Sequence, residues 1–77
     1  MVQFEEIIER LQAGDKTAYE KLNNILKERE IVILREYYGL GSHQHTADEI
    51  ADQLGLEENK VIQLLNKTKS RLEEYWS

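Results

Sequence analysis

The chain has 77 residues, no cysteine and no proline, and fifteen acidic against ten basic side chains give it a formal net charge of −5. That length holds one small domain with a thin core. The missing cysteines exclude a disulfide framework and a thiolate zinc site, and the longest apolar run, Ile31-Val32-Ile33-Leu34, is far short of a membrane span. Met1 to Glu6 carries no basic stretch of the kind that opens a secretory signal, so a cytoplasmic location is expected. An acidic balance also argues against nucleic acid as a partner, as far as net charge goes.

Helical periodicity runs through almost the whole chain. Phe4, Ile7, Ile8 and Leu11 recur at i, i+3, i+4 and i+7, with Glu5, Glu6, Glu9 and Arg10 on the other face. Gly14 closes that stretch, and Asp15 is placed to cap a second helix with Ala18, Leu22, Ile25 and Leu26 as its apolar positions. A third stripe, Ile31, Leu34, Tyr37 and Tyr38, stops at Gly39; pattern alone leaves open whether it continues the second helix as one bent rod. Gly39-Leu40-Gly41-Ser42-His43-Gln44-His45 reads as a loop. Thr46 and Glu49 then form a capping box, which opens a short helix ended by Gly55. A last helix starts near Glu57 or Glu58 and runs to about Tyr75, with Val61, Leu64, Leu65, Thr68 and Leu72 inward. The expectation is an all-α fold of four to five helices with a helix-turn-helix at its C-terminal end. Tyr38 is expected to be buried, and Trp76 is left between core and surface.

The most specific stretch is 47–66. Two helices meeting at a steep angle through a tight turn need a small residue where they approach, a glycine at the turn and apolar residues at fixed offsets. Ala47, Ile50, Ala51, Leu54, Gly55, Leu56, Val61 and Leu64 meet that pattern. A plain helical hairpin with a glycine turn is the simpler alternative.

From Leu26 to Leu72 the chain resembles region 4 of bacterial RNA polymerase sigma factors. The matching residues are Leu26, Arg29-Glu30, Ile33-Leu34-Arg35, Tyr38-Gly39-Leu40, Thr46, Glu49-Ile50-Ala51, Leu54-Gly55-Leu56, Val61, Gln63 and Leu72, in order across 47 of the 77 residues. The resemblance divides the single helical domain, 1–77, into an N-terminal helical extension, 1–25, and a region-4-like unit, 26–77. Residues 7–22 are faintly similar to the opening helices of region 2 of extracytoplasmic-function sigma factors. The strand-melting helices of a complete factor do not fit between 23 and 26, so the chain is not expected to initiate transcription alone.

The resemblance implies that the second helix of the motif enters the major groove of promoter DNA. Its position-matched candidates are Glu58, Asn59, Lys60, Ile62, Gln63 and Lys67, with Thr46 meeting a phosphate at a helix start. Arg35, Lys69 and Arg71 add positive charge, which suggests about three or four phosphate contacts and a modest, salt-sensitive affinity. It also implies a partner, the RNA polymerase core or a sigma-related subunit, met through an apolar surface to which Ile31, Leu34 and Tyr37 contribute. The chain departs from the family at Glu57 and Glu58, where Ser or Thr and then arginines are usual, and at Ile62, often an arginine. Those departures and the −5 charge motivate the alternative: an acidic module that binds polymerase or a sigma or anti-sigma partner without reading DNA. His43 and His45 lack further converging ligands for a metal, and no nucleophile stands in a catalytic setting. No metal, cofactor or enzymatic activity is expected.

Overall fold

The computed structural model describes residues 2–41 and 43–76; Ser42 of the predicted loop lies outside them. Among these residues the fold is all-helical: α1 (Phe4–Gln12), α2 (Lys16–Ile25), α3 (Glu28–Tyr38), α4 (Ala47–Leu54) and α5 (Glu58–Tyr75). The expected fold class therefore holds, at the upper helix count.

Each helix boundary has a local chemical cause. Asp15 caps α2 by accepting hydrogen bonds from the amides of Thr17 (3.0 Å) and Ala18 (3.2 Å). Its other carboxylate oxygen meets Arg10 Nε at 2.9 Å, and this bond, followed by the Ala18 amide, holds the Asp15 carboxyl below its ordinary pKa. α2 and α3 are separate helices, which resolves the bent-rod question. Leu26 is extended and buried, and the Lys27 amide that follows donates to the Glu30 carboxylate at 2.9 Å. Gly39 ends α3 at φ 65°, in the left-handed region where a side chain is strained. Gly55 ends α4 at φ 68°, with the Leu56 amide bonded back to the Ala51 carbonyl at 2.9 Å. The α1 start has no side-chain cap of its own. Instead the Phe4 amide donates to Glu73 Oε2 of α5 at 3.2 Å, a cap supplied from across the fold.

The apolar residues gather in two clusters that share α3 and α5. Phe4, Ile7, Ile8, Leu11, Ala18, Leu22, Leu26, Leu34, Leu40, Leu72 and Trp76 form the larger one, between α1, α2 and the far end of α5. Ile33, Ile50, Ala51 and Val61 form the smaller one, which locks the helix-turn-helix. The neighbours Ile33 and Leu34 are both fully buried, each in a different cluster.

Aromatic placement follows the same division. Trp76 is buried, with the Arg10 guanidinium 5.9 Å and Lys21 Nζ 5.4 Å from its ring centroid. Tyr38 is only half-buried, against an expectation of burial, and packs edge-on against Phe4 at 5.5 Å. Desolvation first, then the nearby Tyr37 and Glu5, pushes its hydroxyl pKa up, so it stays neutral.

Candidate nucleic-acid interface

The helix-turn-helix is built from α4, the Gly55 corner and α5, with Ile50, Ala51 and Val61 buried where the two helices meet. α5 is long because only its first half belongs to this pair; its second half reaches the larger cluster at Leu72. Val61, Thr68 and Leu72, seven and four residues apart, hold one side of α5 inward. The opposite side is free, and Asn59, Lys60, Gln63, Asn66 and Lys67 are all exposed on it. Amide side chains framed by two lysines can read base edges and meet phosphates.

The seven sequence candidates fall into two groups. Asn59, Lys60, Gln63 and Lys67 lie on the open stripe. Thr46, Glu58 and Ile62 instead line a hollow of about 550 Å³, together with Tyr37, Gln44, His45 and Ala47. Ile62 remains 41% exposed at its edge. Thr46 is occupied by its own capping box: its hydroxyl accepts from the Glu49 amide at 3.2 Å and its amide donates to Glu49 Oε1 at 2.9 Å. These bonds hold the Glu49 carboxyl below its ordinary pKa, so the helix start already carries an anion. A phosphate there meets a resident carboxylate.

The supporting cations are fewer than the charge count implies. Arg71 lies on the same flank as Lys60 and Lys67, but its Nη1 is engaged with the buried Glu30 carboxylate at 3.2 and 3.3 Å. The pairing could have been suspected from Glu30, an acid set among the apolar positions of α3. Lys69 sits on the other flank, its ammonium 5.8 Å from the Phe4 ring centroid. Arg35 lies beside the Gly41 turn, with a guanidinium nitrogen 3.9 Å from where a Gly41 side chain would begin.

The expected partner surface needs a correction. Leu34 is fully buried in the larger cluster and offers no contact surface, because α3 packs on two sides. Ile31 and Tyr37 are half-buried and remain accessible, each packed against a different cluster. Sequence reasoning overlooked Asn66, whose spacing of three from Gln63 and seven from Asn59 puts it on the open stripe. Among the described residues there is no group of three or more His, Cys, Asp or Glu able to hold a metal ion. No described helix is long and apolar enough to cross a membrane.

No family model matches the chain, and no solved structure matches it. It is 44% identical over 43 residues, 56% of its own length, to a protein described as RNA polymerase sigma factor sigA from Oryza sativa subsp. japonica. The chain spans about 8% of the length of that curated relative. The likeness is thus to a segment of a sigma factor.

Proposed function

We propose that the chain is a sigma-region-4-like transcription regulator that reads duplex promoter DNA through the open side of α5, weakly and in company with RNA polymerase. The exposed stripe of Asn59, Lys60, Gln63, Asn66 and Lys67 on the second helix of a tight helix-turn-helix carries this reading. In it residues 26–77 form the DNA-facing unit, and 1–25 a helical extension packed behind it. The protein acts in the cytoplasm, beside polymerase, and is not an enzyme. Two exposed lysines on the stripe give a small electrostatic term, so a second contact surface, on polymerase or a sigma-related subunit, supplies the remaining affinity.

Titration of labelled random duplex DNA at several salt concentrations, with co-purification of polymerase subunits, tests the proposal. Binding at about 50 mM salt that declines with added salt supports it. Co-purification of polymerase without any DNA binding would move the assignment to a protein-only module. One observation favours that second reading: residues 36–59 contain six carboxylates and no lysine or arginine.

A further inference from the structure

The hollow beside the stripe has a chemistry of its own. Tyr37, Ala47 and Ile62 give it an apolar lining, and Glu58 adds a carboxylate to it. Three more carboxylates are chain neighbours of lining residues: Glu36 beside Tyr37, Asp48 beside Ala47, and Glu57 beside Glu58. The His45 amide, bonded to the Glu36 carbonyl at 2.8 Å, fixes the loop wall against the end of α3. Asp48, Glu57 and Glu58 are exposed and Glu36 half-buried, and among the described residues no cation pairs with any of the four. A hollow of about 550 Å³ is of the size that takes side-chain anchors from a ligand. Glu58 in its lining, with three further carboxylates next to lining residues in the chain, disfavours a phosphate backbone and attracts cations.

We infer that this hollow docks a lysine- or arginine-rich segment of a partner protein, which seats an apolar side chain against Ile62 and Tyr37. Basic residues on either side of that anchor meet Glu36, Asp48, Glu57 and Glu58. The inference does not require α5 to read DNA, and DNA reading does not require the hollow to be filled. A partner docked there does bring positive charge to the flank of α5 where Glu58 and Ile62 lie and Lys69 is drawn to the Phe4 ring.

The test uses the intact chain, isotope-labelled, and three peptides: a lysine-rich one with a central leucine, its counterpart with glutamate for every lysine, and one with serine for the leucine. The lysine–leucine peptide is expected to shift the amide resonances of Tyr37, Ala47 and Ile62, with the other two binding at least about tenfold more weakly. Glu58→Lys and Ile62→Ser are each expected to weaken it several-fold. Glu20→Lys, the same charge change on the exposed side of α2, leaves it unaltered. Ile62 is 41% exposed, so its substitution leaves the fold intact and keeps the test decisive. Binding of none of the peptides, equal binding of the lysine and glutamate forms, or shifts confined to other surfaces overturns the inference. Shifts of Tyr37 and Ala47 produced by duplex DNA and not by the peptide also overturn it, and assign the hollow to the DNA face. DNA binding measured without peptide reports separately on the reading of α5.

Discussion

If α5 reads DNA as proposed, the salt dependence of that binding measures how many of its cations reach phosphate. Its four basic residues are Lys60, Lys67, Lys69 and Arg71, but Arg71 is engaged with Glu30 and Lys69 sits over Phe4. Two remain on the open side, and each phosphate neutralised contributes about −0.9 to the slope of log affinity against log salt. A slope of about −2 follows, so affinity falls roughly tenfold between about 50 and 200 mM salt. If all four cations made contact, the slope would be near −3.6 and the loss well over 100-fold. Fluorescence anisotropy with a short random duplex at four or more salt concentrations distinguishes these cases. Lys67→Ala should lower the slope by about one unit, whereas Lys69→Ala should leave it unchanged. A wild-type slope steeper than about −3, or a clear change in Lys69→Ala, would refute the assignment of cations to faces.

Four further outcomes are expected. Arg71→Ala leaves the buried Glu30 carboxylate with the Lys27 amide as its remaining described partner. Because Arg71 is itself 32% exposed, the loss is about 2 kcal/mol, below that of a fully buried pair, and thermal melting should drop by roughly 10 °C. Leu34→Ala, at a fully buried position, should cost about 2–4 kcal/mol in denaturant titrations, while Ile62→Ala should change stability by less than about 0.5. Thr46→Ala removes the cap on α4 and should cost about 1 kcal/mol, visible as a lower urea midpoint. Glu49 and Asp15 both have lowered folded-state pKa values, so their stabilisation is complete above the ordinary carboxylate range and disappears as pH falls through the lowered values. Acid titration followed by circular dichroism should show stability declining below about pH 4, and less steeply in Glu49→Gln.

Sequence chemistry located the boundaries that rest on single residues. Gly39, Gly55, Asp15 and Thr46 each end or begin a helix through their own backbone freedom or side chain, and these are legible locally. The break between α2 and α3 was not. It has no glycine or proline, and depends on the burial of Leu26 and on Glu30 reaching back to the Lys27 amide. Glu30 is half of a capping box whose usual Ser or Thr is missing, so only part of the signal is present. Leu34 enters the expected partner surface through the family resemblance, and its stripe on α3 does not reveal that this helix is packed on two sides. Along α5, charge summed over the sequence counted Lys69 and Arg71 with Lys60 and Lys67. Which of them is free depends on Phe4 and Glu30, more than forty positions away in the chain or on another helix.

The adjacent Ile33 and Leu34 make α3 a common wall between the two clusters. Neither cluster can loosen without withdrawing support from the other, so slow amide exchange in α1 and in the helix-turn-helix should share one opening free energy. A ligand held only by the open side of α5 would then slow exchange as far away as Ile7 and Leu11, inside the larger cluster. The helical pair at the start of the chain thereby becomes a remote reporter of occupancy at the other end of the molecule.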